Sequence, residues 1–174
     1  MKEKINKPKA ARKSSAGFFP AAYNGDVNKV RQLLDDGVNV NKKNKYSQTV
    51  LMEASVHGNL ECLKLLLDRG ANVNVRDRFG CSAVSYASMN GRVEALKLLL
   101  DHGGDINIKG WGKTSLMHVC ERDHSACITL LLERGANMTL TSDDHGKTAY
   151  DYCKSDATRK MLTDAANKID YVLK

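Results

Sequence analysis

The chain has 174 residues, 42% of them apolar, which suits one domain or one array of small units with a buried core. Its formal charge of +7 is unevenly spread: residues 1–17 carry Lys2, Lys4, Lys7, Lys9, Arg12 and Lys13 against Glu3 alone, so the body that follows is close to neutral. This argues for a basic tail on a balanced domain rather than a basic fold, and no run approaches the roughly 20 apolar residues of a membrane span.

In chain order, residues 1–16 read as a disordered basic tail, with Pro8, Ser14 and Ser15 and no aliphatic periodicity. The stretch KPKAARK also fits a nuclear-import or acidic-surface segment, a solvated leader being the plainer reading. Phe18 to Ala22 is too short an apolar run, and too soon followed by Asn24 and Asp26, for a signal peptide. A soluble, intracellular protein is expected, cytoplasmic and, through the tail, also nuclear. The cysteines Cys62, Cys81, Cys120, Cys127 and Cys153 form no Cys-x-x-Cys pair and are odd in number, which fits reduced thiols.

From residue 17 the sequence repeats. Asn24-Gly25, His57-Gly58 and Asn90-Gly91 recur every 33 residues, as do Leu33-Leu34, Leu66-Leu67 and Leu99-Leu100, with Leu131-Leu132 following after 32. Gly37, Gly70, Gly103 and Gly135 close the leucine runs. Within one unit, Thr49 to Ser55 predicts a short helix capped by Thr49 and broken at His57-Gly58. Leu60 to Arg69 predicts a second helix with Leu63, Leu66 and Leu67 on one face and Gly70 as its left-handed stop. A helix pair of this size cannot bury both faces alone, so its stability comes from stacking on its neighbours.

The phrases TVLMEAS, SAVSYAS, TSLMHVC and TAYDYC, each opening such a unit, resemble the Thr-Pro-Leu-His-x-Ala-Ala signature of the ankyrin repeat. The resemblance covers about residues 18–163. It departs from the family where Pro becomes Val50, Ala83, Ser115 and Ala149, and where His becomes Met52, Ser85, Met117 and Asp151. It implies an all-α ankyrin solenoid of helix-turn-helix units joined by β-hairpin-like finger loops. The units fall at about 17–44, 45–77, 78–109 and 110–144, with a polar cap over 145–174 and an extra helical tail beyond Asn167.

The chemistry-bearing letters mostly dissolve in this register. KGWGKT and HGKT end like a phosphate loop, but the required first glycine falls on Asn107 and Thr141, and Thr114 stands at a helix-capping position. His118, Cys120, His124 and Cys127 resemble metal ligands, yet the repeat places both thiols on helix-packing faces and His124 at the helix-helix turn. No metal or other cofactor is expected. Cys81 has no histidine at a matching register, and Asp35-Asp36 and Asp143-Asp144 are adjacent turn carboxylates, so no catalytic group is assigned.

One column of the repeat is informative. Tyr46, Phe79 and Trp111, then His145, precede the fingertip residues Ser47, Gly80, Gly112 and Gly146. Successive fingers would align these rings along one edge of a groove, where Tyr and Trp suit binding hot spots. Lys45, Arg78 and Lys113 are the expected orienting charges, among further finger cations at Lys42, Lys43, Arg76 and Lys109, with Asp143 and Asp144 reversing the sign on the fourth finger. The resemblance adds Gln48, Cys81, Met89 and Arg122 as groove contacts, and Asn41, Asn74 and Asn107 as hairpin asparagines that an oxygenase would hydroxylate. The expected function is a non-catalytic module binding a protein or peptide with acidic and apolar residues, as a monomer and without membrane. Two alternatives are single-stranded nucleic-acid binding through the rings and tail, which the neutral body disfavours, and a regulatory subunit or effector acting on an enzyme in trans.

Overall fold

A computed structural model describes residues 15–172, so the basic tail expected over residues 1–16 lies almost wholly outside the described residues. Ten helices follow one another as pairs among these residues. The first helices are α1 (Phe18–Asn24), α3 (Val50–His57), α5 (Ala83–Met89), α7 (Ser115–Glu121) and α9 (Ala149–Tyr152). The second helices are α2 (Val27–Asp35), α4 (Leu60–Asp68), α6 (Val93–Asp101), α8 (Ser125–Glu133) and α10 (Asp156–Val172). First helices stack on first helices and second on second, so the core is a continuous slab between two layers. Leu63, Leu66, Leu96, Leu99, Ile128 and Leu131 are fully buried in it.

The boundaries have identifiable causes. Thr49, Ser82 and Thr114 cap the first helices, their hydroxyls accepting from the amides of Met52, Ser85 and Met117. The reciprocal half of the capping box comes from sulfur in two units: Thr49 N donates to Met52 Sδ at 3.3 Å, and Thr114 N to Met117 Sδ at 3.4 Å. After the second helices, Gly37, Gly70, Gly103 and Gly135 sit in the left-handed region. No glycine stands after Asp164, and Ala165-Ala166 are strong helix formers. The last helix therefore runs 17 residues without a break, and the stretch from Asn167 to Val172, where an extra helical tail was expected, continues the cap's second helix.

Side chains lock the loops of neighbouring units together. Asn41 Oδ1 accepts from Asn72 N, Asn74 Oδ1 from Asp105 N and Asn107 Oδ1 from Asn137 N, at 2.8 to 2.9 Å. Thr139, at the same position in the fourth unit, turns back onto Asn137. The fingers differ in regularity. Only the third closes into a ladder among the described residues, β1 (Lys109–Gly110) against β2 (Lys113–Thr114), with Trp111 and Gly112 both at positive φ as a two-residue hairpin turn requires. The first finger has a single bridge, Lys43 to Thr49.

Candidate functional site

The site begins with what holds the fingertips. Asn44 Oδ1 accepts from the amides of Tyr46 and Gln48 at 2.8 and 3.0 Å, and Asp77 Oδ1 accepts from those of Phe79 and Cys81 at the same distances. The third finger has Gly110 at this position and uses its carbonyl instead, which accepts from His118 Nε2 at 2.9 Å. The tips are then bonded in series: Arg78 N donates to Tyr46 O and Trp111 N to Phe79 O. Each tip is thereby pinned about one strand spacing from the next.

On that backbone the side chains stack. Phe79 and Trp111 lie face to face, with ring centroids 4.0 Å apart and planes at 15°. The Arg78 guanidinium lies 4.3 Å from the Tyr46 centroid and 4.6 Å from that of Phe79. Lys45 covers Tyr46 at 4.8 Å. The expected row of rings is thus a ladder, Tyr46, Arg78, Phe79, Trp111, in which a cation is interleaved. Trp111 ends it, 55% exposed. His145, the next residue of the column, pairs with Asp144 at 3.4 Å.

A concavity of about 490 Å³ opens beneath this ladder. The fingers contribute Tyr46, Arg78, Phe79 and Trp111 to it, and the ends of the first helices contribute Val56, Met89, Asn90 and Arg122. Its floor is a polar relay that the sequence did not reveal: Gln48 Nε2 donates to Tyr86 Oη at 2.7 Å, and Tyr86 Oη donates to Asp77 Oδ2 at 2.7 Å. Burial, then the bond to Asp77, pushes the Tyr86 phenol well up, so it stays a neutral donor. Asp77 is itself only 6% exposed. The relay joins the first finger, the second finger and α5 into one rigid floor.

Two expected contacts are corrected. Cys81 is fully buried rather than facing the groove, because Gly110 lies directly against it. Burial, with Asp77 next, pushes its thiol up to about 12. Lys113 is not a free orienting charge. Its ammonium bonds both oxygens of Glu121 at 3.0 Å and covers the Tyr152 ring at 4.4 Å, because the hairpin folds back over α7. Burial alone would raise Glu121, but the bond and charge of Lys113 outweigh it and hold the carboxyl below its usual range. Lys109 is likewise paired, with Asp143 at 2.6 Å. The positive character of the third finger is therefore cancelled.

The residues that looked like metal ligands have separate places. His118 is buried on Gly110 O, while Cys120 and Cys127 are free thiols in the core. Among the described residues no group of three or more His, Cys, Asp or Glu converges as a cation site, and no helix is long and apolar enough to cross a membrane.

The repeat geometry agrees with comparison by sequence. A model of three ankyrin repeats matches residues 18–110, and a single ankyrin-repeat model matches residues 111–143. The chain belongs to the ankyrin-repeat family. No curated protein matches it. Ankyrin repeats are generally protein–protein interaction modules and typically non-catalytic. In this ankyrin array, Tyr46, Gln48, Arg78, Phe79, Met89, Trp111 and Arg122 come together round one concavity. Asn41, Asn74 and Asn107 lie apart from it, in the loop ladder. Asn44, Asp77 and Tyr86, which organise the site, were legible only as turn formers and a helix residue; their relay spans 38 residues from Gln48 to Tyr86.

Proposed function

We propose that this ankyrin array is a non-catalytic interaction module that holds a segment of a partner protein, or a peptide, in the concavity under the first three fingers. The single observation that carries the reading is the Tyr46–Arg78–Phe79–Trp111 ladder standing over a hollow whose lining mixes polar groups with Val56 and Met89. A rigid aromatic edge offers large contact area with little rotamer entropy to lose on binding. Lys45, Arg78 and Arg122 border the hollow or its rim, and among the described residues no carboxylate lines it, so a segment with acidic residues beside apolar ones is the complementary occupant. The protein acts as a monomer in the cytoplasm, with access to the nucleus through its basic tail.

The rival reading, base stacking on three free rings, loses support from the ladder. One face of Phe79 is covered by Trp111 and Arg78 lies over both Tyr46 and Phe79, so of the three rings Trp111 offers the clearest open face. The test is a pull-down from the native cell with wild type and Trp111→Ala in parallel. Trp111→Ala is expected to lose the partner while its circular dichroism is unchanged. Retained binding with an intact fold refutes the assignment, and a steep fall of wild-type binding with salt points to nucleic acid instead.

A further inference from the structure

Resting on the groove reading just given, the structure assigns one ligand group more narrowly: we propose that Arg78, with Arg122 across the hollow, reads an acidic side chain of a linear peptide. Five arginines elsewhere in the array have partners. Arg69, Arg134 and Arg159 bond Asp35, Asp101 and Asp156, and Arg76 and Arg92 bond backbone carbonyls. Arg78 and Arg122 line the same hollow, and neither has a hydrogen bond from its side chain or an ion pair among the described residues.

Arg78 is also prepared for its role. Its guanidinium carbon lies over both the Tyr46 and the Phe79 ring, which restrains the group and leaves its N–H donors for a ligand. A fixed fork of parallel donors matches a carboxylate bidentately and loses little entropy on binding it. Arg122, at the C-terminal end of α7, supplies charge from the helix wall. On the same helix wall Val56 and Met89 present an apolar strip, so an aliphatic or aromatic residue adjoins the acid in the bound segment. Lys45 lies at the Tyr46 end of the ladder, and Lys113 is consumed by Glu121, which places the anionic group in the first part of the groove and not under the third finger.

Lysine cannot replace Arg78 in this arrangement, because an ammonium does not present a planar fork of donors. The test uses the full chain against an array of random linear peptides, acetylated and amidated at their ends so that only side chains carry charge. Binding of each selected peptide is read by the fluorescence anisotropy of a dye carried on the peptide, a signal that survives loss of Trp111, the chain's one tryptophan. Wild type is expected to select peptides with Asp or Glu beside an apolar residue. Arg78→Lys, at matched melting temperature, is expected to weaken them about tenfold or more, the loss typical of one charge-assisted bidentate contact. Changing the acid to its amide in the peptide should weaken wild type equally and Arg78→Lys hardly at all. If Arg78→Lys keeps affinity and acid preference while Trp111→Ala loses binding, the assignment to Arg78 is wrong and the groove reading stands. If wild type selects no peptide, or neither variant matters, the groove reading itself falls and takes this assignment with it.

Discussion

Removing the Asp77 carboxylate tests whether the floor of the groove is built as described. It accepts three bonds at once, from Phe79 N at 2.8 Å, Cys81 N at 3.0 Å and Tyr86 Oη at 2.7 Å. Asp77→Ala leaves all three donors without a partner. Cys81 is fully buried, so its amide meets no water, whereas Phe79 and Tyr86 are half-buried and recover part of theirs. A bond to a charged acceptor is worth about 1.5–3 kcal/mol and a stranded buried donor costs about 1–3 kcal/mol, so with partial rehydration the loss comes to about 3–5 kcal/mol. Asp77→Asn keeps the oxygen that serves both amides, and its NH2 can donate to a Tyr86 hydroxyl that turns to accept. That variant should lose only about 1 kcal/mol. Urea unfolding followed by circular dichroism and by Trp111 fluorescence measures both, and for Asp77→Ala the fluorescence should change even before the midpoint, as the second finger loosens under the indole. A loss below about 1 kcal/mol for Asp77→Ala, or equal losses for the two variants, would refute the shared-acceptor account.

Three further outcomes follow from the same geometry. Burial above all, with Arg122 and Lys113 nearby, holds the His118 imidazole below its ordinary 6.5 despite the carbonyl of Gly110, and its Nδ1 has no partner. The unfolded chain therefore takes up that proton more readily: His118's contribution to stability is complete above 6.5 and is eroded as pH falls through 6.5 toward the lower folded value. Melting temperatures between about pH 7 and pH 5 should fall less steeply for His118→Gln than for wild type, and parallel curves would contradict this. In Gly110→Ala the new Cβ meets Cys81 Sγ at 2.5 Å and Cys81 Cα at 2.9 Å, so the second and third fingers must separate. A loss of about 1–3 kcal/mol in urea is expected, with weaker stacking of Phe79 on Trp111 seen in the fluorescence. Asn74→Ala removes the acceptor of Asp105 N and the donor to Gly103 O, both exposed, and should cost about 1 kcal/mol by the same assay with the groove unaffected.

The fold was legible because a repeat states its needs locally. Leucines three and four apart, a hydroxyl before four of the five first helices and a glycine after four of the five second ones are decided within a dozen residues, and their 33-residue recurrence announces the stacking. The row of Tyr46, Phe79 and Trp111 was legible for the same reason, as a column of the period. What the column could not say is how its members meet. Arg78 and Lys113 look alike in sequence, each a fingertip cation beside a ring, yet one lies over two rings and the other is spent on Glu121. Cys81 looked like a groove residue until Gly110 of the next finger was seen to cover it. Each of these outcomes depends on which atoms of the following unit arrive at a side chain. Periodicity tells only that a neighbour comes. Tertiary structure alone decides which cations are neutralised and which two guanidinium groups are left facing the groove, because the energy of a charge is set by its nearest partners in space.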